Sequence, residues 1–119
     1  MVLILVGTVS WAQTVTGQWL HELWLANQKL VADPTTTDKT VTVRGYVYMG
    51  FLIGAVEVME SVQWLDTGGI SPNGLQTFAS AAVGKYLDDH PDQWNLDAVG
   101  LIYRALYPLW PGRKAAPYQ

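Results

Sequence analysis

The sequence predicts an all-α fold, a compact bundle of about four helices, and three observations support this prediction. Apolar residues recur at spacings of three and one in three segments, which places them on one face of a helix. Capping residues and prolines stand at the ends of these segments. A fourth segment, residues 41–65, is apolar on nearly every side and contains no turn signal.

Composition favours one packed domain. The chain has 119 residues, of which 50% are hydrophobic and 14% charged, and it contains six tryptophans and six tyrosines. The formal net charge of -3 and the scattered lysines and arginines argue against nucleic-acid binding. Because there is no cysteine, disulfides, thiol nucleophiles and cysteine-based metal sites are excluded.

The first twelve residues, MVLILVGTVSWA, resemble the apolar core of a secretory signal that ends in a small-x-small cleavage site. We therefore expect residues 1–12 to be a signal-peptide remnant, residues 13–119 to form the single domain, and the protein to be periplasmic. The alternative is an apolar N-terminal piece retained in the fold, since the basic region of a signal is missing.

The first helix is predicted from Thr16 to Val31, with Thr14 or Thr16 as its N-cap and an end before Pro34. Its apolar positions share one face: Trp19, Leu20, Leu23, Trp24, Leu30 and Val31. The polar residues 33–40 form a turn-rich linker.

Residues 41–65 are predicted to form one long central helix that the other helices cover, because it is hydrophobic all round. A membrane span is disfavoured by Arg44, Glu57 and Glu60, and a strand by the length of the segment. Gly50 and Gly54 lie on one face, where they are expected to let another helix approach closely.

A helical hairpin is predicted for the C-terminal part. Its first helix begins at Ser71-Pro72, buries a stripe that includes Phe78, and closes at Pro91. Its second helix runs from Ala98 to about Tyr107, with Asp92 helping to cap it. We expect the tail, residues 112–119, to be frayed.

Candidate catalytic groups are few. His21-Glu22 lacks the second histidine of a zinc-protease helix, so His21 is interpreted as a partly buried helix residue and His90 as a turn residue. Glu57 and Glu60 share a helical face and could act as an acid and base pair in a small hydrolase. The favoured prediction is no enzyme, no cofactor and no metal site.

Several motifs together resemble the Tai/Rap-type amidase immunity proteins of bacterial type VI secretion systems. They are Thr16-Gly17 with Leu20 and Leu23, Gly45-Tyr46, Ser71-Pro72, the Lys85-Tyr86-Leu87 to His90-Pro91 turn, and the Ala105-Leu106 to Trp110-Pro111 ending. The family commonly has four cysteines; Trp24, Val43, Ile70 and Gly112 stand in their places.

The resemblance implies a small, all-helical, exported protein that binds and blocks a peptidoglycan amidase effector, often as a homodimer. Candidate partner contacts are exposed polar residues near helix ends and loops: Glu57, Glu60, Asp66, Asn73, Asp88, Asp89 and Asp92. The alternative is a stand-alone exported helical protein that binds a small ligand or an envelope protein.

Overall fold

The computed structural model describes residues 15–117. Four α-helices make up this part of the chain: α1 (Gly17–Ala32), α2 (Lys39–Ser61), α3 (Pro72–Asp89) and α4 (Ala98–Leu106). A 3-10 turn, Pro91–Gln93, connects α3 to α4. The all-α, four-helix prediction is confirmed, and the described residues contain no β-strand. The predicted signal segment, residues 1–12, lies outside the described range.

Each of the four helices begins at a side-chain oxygen that accepts a backbone N–H. These N-caps are Thr16, Asp38, Ser71 and Asp97, which satisfy donors that the first helical turn cannot pair. The prediction that Asp92 caps the last helix is wrong. Asp92 lies in the 3-10 turn, and Asp97 is the residue that immediately precedes α4 and reaches its backbone.

The core lies where α1 and α2 pack along each other and α3 and α4 close over them. Its largest completely buried side chains are Leu20, Tyr48, Leu52, Met59, Leu65, Leu87, Leu101, Ile102 and Leu106. Two residues assigned to apolar stripes are instead exposed, Val31 at 72% and Phe78 at 61%. Both lie on helix surfaces that no other helix covers, so those two assignments are wrong.

The length of α2 agrees with the predicted long helix, but the prediction that other helices cover it all round is wrong. Only 22% of its most apolar window is buried. The α1, α3 and α4 helices all pack on one side of it, where Gly45, Tyr48 and Leu52 are buried. The opposite side faces solvent although its composition is also apolar.

The close approach predicted at Gly50 and Gly54 is also wrong, because a Cβ atom added at either position would meet nothing within 4 Å. Close packing occurs at other glycines, among them Gly45 and Gly84. At Gly45 an added Cβ would lie 2.8 Å from Leu30 Cδ2, and at Gly84 it would overlap the Trp24 ring.

Residues 110–116 are held against the bundle, so the prediction of a frayed tail is wrong for this segment. The Gly112 N–H donates to the Trp64 carbonyl at 3.1 Å, and the Lys114 N–H donates to the Gln63 carbonyl at 2.9 Å. Ala116 is only 6% exposed. The segment therefore fixes the connection between α2 and α3.

Tyr48 provides a test of the core. Its side chain is completely buried and its hydroxyl donates a hydrogen bond to the Ser80 carbonyl at 2.9 Å, which joins α2 to α3. Tyr48→Phe should lower the free energy of unfolding by about 1–2 kcal/mol, because the Ser80 carbonyl loses its donor in a buried site. Urea unfolding measures this, and Tyr46→Phe, at a 66% exposed position on the same helix, should change little.

Burial raises the pKa of the Tyr48 phenol well above its ordinary value of 10.0. The folded state therefore keeps this proton at a pH where the unfolded chain releases it, and the stability it contributes is lost as pH rises above about 10. The unfolding free energy of Tyr48→Phe should fall less steeply than that of the parent over this range. If the unfolding free energies of the two proteins instead fall in parallel with pH, the pKa of Tyr48 is not raised.

Candidate protein-binding surfaces

The acidic and polar residues predicted as partner contacts are exposed except for Glu60, which is partly buried. Three lie at or just after the C-terminal end of α2 (Glu57, Glu60 and Asp66), three lie at the C-terminal end of α3 or just beyond it (Asp88, Asp89 and Asp92), and Asn73 lies at the start of α3. Asn73 and Asp89 are separated by sixteen residues of one helix, which is about 24 Å. The seven residues therefore do not form one compact patch.

At the C-terminal end of α3, Asp88 links two helices. Its Oδ1 lies 2.9 Å from His21 Nε2, and Trp24 Nε1 donates to its Oδ2 at 3.3 Å, so one carboxylate holds two α1 side chains. The His21 ring also stacks on Trp94 at a centroid distance of 4.1 Å. Asp88 is exposed, but its carboxylate is already used in packing α1 against α3.

The neighbouring Asp89 pairs with Lys85 within the same helix at 2.8 Å. Their hydrogen bond lowers the pKa of Asp89 and raises the pKa of Lys85. Because this pair is exposed, solvent screens it and its effect on stability is small.

The turn after α3 is built by aromatic and histidine side chains. His90 is the C-cap of α3, its ring stacks on Tyr86 at 4.0 Å, and its Nδ1 lies 2.8 Å from the Tyr86 carbonyl oxygen. The Tyr86 hydroxyl donates to Gln93 Oε1 at 2.7 Å. The predicted positions of His21, partly buried on a helix, and His90, in a turn, are confirmed.

The connection between α2 and α3, residues 62–71, is the α2–α3 loop. Leu65 and Thr67 point into the protein, with 1% and 8% of their surface exposed, and the Thr67 hydroxyl donates to Glu60 Oε1 at 2.8 Å. The loop tip is Gly68-Gly69, where both residues have positive φ angles of 67° and 78°. Glycine adopts this conformation without steric cost, so the tip can turn sharply while remaining exposed.

The base of the α2–α3 loop is fixed by the C-terminal segment. Leu65 and Pro111 form an isolated β-bridge, and the Asp66 N–H donates to the Trp110 carbonyl at 3.1 Å. Asp66 also accepts the Gly68 N–H at 3.0 Å, which orients the tip. An exposed loop held by this many backbone contacts has little conformational entropy left to lose on binding.

A small depression of about 130 Å³ lies at the loop base and is lined by Glu60, Asp66 and Arg113, among others. Glu57, the other member of the predicted carboxylate pair, is exposed on α2 instead. The structure therefore does not enclose both carboxylates in one cleft, as a glycosidase-like pair requires. Within residues 15–117, no group of three acidic or histidine side chains is placed to hold a metal ion.

A larger cleft of about 620 Å³ opens between α1, α2 and α3. Its walls are mostly apolar, with Trp24, Met49 and Val31 among them. The buried Asn27 at its edge donates its side-chain amide to the Gly45 carbonyl at 3.3 Å, so this polar group serves packing between α1 and α2. The volume is within the range of small-molecule sites.

The side of α2 that faces away from the bundle, the outward face, is an exposed apolar surface that was not predicted from the sequence. Its members are Val43, Tyr46, Val47, Gly50, Gly54 and Val58, all exposed. A groove of about 560 Å³ runs beside it, over Gly50, Gly54 and Trp64. In length and composition α2 is the one helix among the described residues that could cross a membrane.

Comparisons with protein-family models, with curated proteins and with solved structures gave no match for this chain.

Proposed function

We propose that this chain is an exported immunity protein that binds a secreted peptidoglycan amidase and occludes its active site without turnover in the periplasm. The motifs that resemble the immunity family support this proposal through their structural roles. Ser71 caps α3, the Tyr86 and His90 rings build the turn after α3, and Pro111 pairs with Leu65. The resemblance therefore extends over residues that build the bundle and hold its loops.

The fixed α2–α3 loop is the observation that carries the proposal. An inhibitor that acts by occlusion must present a protruding element whose shape is set before binding, because ordering it on contact would weaken affinity. Here the exposed Gly68-Gly69 tip stands on a base held by Leu65, Asp66 and Gly112. Asp66 is exposed at this loop, so its carboxylate is available to pair with a basic group at the rim of the cleft.

The proposal predicts that a peptidoglycan amidase is encoded beside this gene, and the experiment is binding to that amidase. The purified proteins should form a stable complex, and peptidoglycan hydrolysis by the amidase should stop when this protein is present in equal amount. Asp66→Asn removes the charge but keeps an oxygen that can accept the Gly68 N–H, so the loop should retain its shape. We expect about tenfold weaker binding, since a charged contact becomes a neutral one.

Glu22→Gln is the matched control because it also removes one carboxylate charge, at an exposed position of α1 that is not among the predicted partner contacts. It should leave the affinity unchanged. Equal weakening by both variants would show that net charge, and not the loop, drives binding. Absence of any complex with a neighbouring amidase would contradict the proposed function.

The cleft between α1, α2 and α3 supports the second candidate, a stand-alone exported protein that binds a small apolar ligand. Its Trp24 and Met49 walls and its volume of about 620 Å³ suit such a ligand. Native mass spectrometry of the protein purified from its host should then show a bound molecule. This candidate predicts no affinity for an amidase. Native mass spectrometry and amidase binding, measured on the same preparation, therefore distinguish the two functions.

A further inference from the structure

We propose that the apolar residues 2–6 of this same chain (VLILV) bind in the groove beside the outward face of α2, over Gly54, Val58 and Trp64. The inference concerns the chain that keeps residues 1–12, which is the alternative to a cleaved signal, and it does not depend on the amidase proposal. It rests on the position of Val15 beside the groove, on the direction of the chain there, and on the composition of the groove and of the segment.

Val15 lies at one end of this groove. Its carbonyl accepts the Ala98 N–H at 3.1 Å, and the next residue of α4, Val99, lines the groove. On the other side, the Trp19 ring packs edge-on against the ring of Phe51, another groove residue, with centroids 5.1 Å apart. The chain therefore enters α1 directly beside the groove.

The backbone pairing at this point directs the preceding residues towards the groove. Thr16 and Asp97 form an antiparallel β-bridge. In an antiparallel pair, the positions that precede one member lie beside the positions that follow the other. The proposed path therefore runs from Val15 backwards along the first turn of α4, where Val99 forms part of the groove wall.

The connection is long enough for the segment to reach the whole groove. Eight residues join residues 2–6 to Val15, and they span at most about 30 Å. The groove follows α2 from Gly50 to Val58, which is about 12 Å of helix. A segment that is covalently joined beside its site has an effective concentration there on the order of millimolar. It therefore outcompetes a free partner of similar intrinsic affinity that is present at micromolar concentration.

The groove and the segment also match in chemistry. Among the described residues that line the groove, none carries a charge, an amide or a hydroxyl. Residues 2–6 are five consecutive aliphatic residues, and residues 1–14 contain no charged side chain. The volume of about 560 Å³ accommodates several aliphatic side chains, whose burial is favourable. At Gly54 an added Cβ would meet nothing within 4 Å, so a second backbone can approach closely.

The cleft between α1, α2 and α3 fits the segment less well. Gln28, Gln76 and Thr77 are among its lining residues, and their amides and hydroxyl would lose water against aliphatic side chains. The cleft also includes Ala32, at the far end of α1, which is about 22 Å along the helix from Gly17. The groove is therefore the site that both position and chemistry favour.

A nitroxide spin label distinguishes the two sites, because the chain contains no cysteine and a single one can be introduced. Glu57→Cys places the label beside the groove and Gln76→Cys places it at the cleft; both positions are exposed. In the full chain, the amide NMR signals of residues 2–6 should be broadened beyond detection by the label at position 57 and should keep their intensity with the label at position 76. Intact signals with both labels would overturn the proposal, as would broadening by the label at position 76 alone.

Gly54→Glu tests whether the groove holds the segment. The position is open and glutamate has a higher helix propensity than glycine, so the circular dichroism of the folded chain should be retained. A carboxylate beneath the aliphatic segment would lose its hydration without a partner. The segment should therefore leave, and its signals should recover fully in the labelled Glu57→Cys protein. Gln76→Glu adds the same charge at an exposed position of α3 and should leave the broadening unchanged. Persistent broadening in Gly54→Glu would overturn the proposal.

Three further measurements identify other occupants. When isotope-labelled chain without nitroxide is mixed with nitroxide-labelled Glu57→Cys chain, the signals of residues 2–6 should stay intact, because the contact lies within one chain. Broadening in this mixture would overturn the proposal in favour of a second copy. Recovery of the signals when vesicles of phosphatidylglycerol and phosphatidylethanolamine are added would overturn it in favour of a lipid surface. The intact mass of the protein from its host should include residues 1–12, and a chain that begins at Gln13 would also overturn it.

Discussion

Gly84→Ala is expected to destabilise the bundle by about 2 kcal/mol, whereas the same substitution at Gly50 should stabilise it by about 1 kcal/mol. Both glycines lie inside helices, Gly84 in α3 and Gly50 in α2. The intrinsic helix preference for alanine is therefore the same at the two positions, and only the surroundings differ. The difference of about 3 kcal/mol is a direct measure of how tightly α1 packs on α3.

The cost at Gly84 arises from the Trp24 ring. An added Cβ would overlap its Cε2, Cζ2 and Cδ2 atoms. The ring cannot easily turn away, because its Nε1 donates to Asp88 and it packs against Tyr48, with ring centroids 5.5 Å apart. Making space for one methyl group therefore requires α1 to move from α3, which weakens the contacts around it.

Urea unfolding of both variants measures this difference. The tryptophan fluorescence of Gly84→Ala should also change, because Trp24 is displaced. Destabilisation by Gly84→Ala together with stabilisation by Gly50→Ala would support the packing, whereas stabilisation by both substitutions would show that Trp24 has free space beside it.

These two glycines also illustrate what the sequence can and cannot predict. Helix ends were predictable because capping is local: Ser71-Pro72 and the residues before Pro34 determine their own ends. Contacts between helices are not local. A glycine pair four residues apart has the same sequence pattern whether it faces another helix or solvent. In the structure Gly50 and Gly54 face open space, whereas Gly84 packs against the Trp24 ring.

The side of α2 that faces solvent could not be predicted for a related reason. A helix that is apolar all round contains no periodic signal to distinguish the covered side from the open one. The same composition describes a core helix and a helix with an interaction face. Only the positions of α1, α3 and α4 show that Tyr48 is buried while Tyr46, two residues earlier, is exposed.

The α2–α3 loop was predicted in part. Asp66 was recognised as an exposed loop residue, but the support beneath it was not, because it comes from residues 110–116, more than forty positions away. This segment has no helical or strand period and looks like an ordinary tail. Its backbone hydrogen bonds to Gln63 and Trp64 become visible only when the two segments are placed side by side.

Gly112→Ala is the second substitution with a large expected effect, about 3 kcal/mol of destabilisation. An added Cβ would meet the backbone of Trp64 and the carbonyl oxygen of Gln63. A side chain can rotate to relieve such overlap, but a main chain fixed at the end of a helix cannot. The C-terminal segment must therefore separate from the α2–α3 loop, which breaks the Gly112 and Lys114 hydrogen bonds.

Amide hydrogen exchange measures which residues of Gly112→Ala lose stability. Exchange at Asp66, Gly112 and Lys114 should be at least 100-fold faster in Gly112→Ala, because about 3 kcal/mol corresponds to a factor of this order. Gly69→Ala is the control: its φ of 78° makes alanine strained by about 1–2 kcal/mol, but it meets no atom within 4 Å. It should alter the loop tip and leave the Gly112 and Lys114 amides protected. If instead Gly112→Ala retains normal protection at these amides, the C-terminal segment does not hold the loop, and the fixed shape on which the occlusion proposal rests is lost.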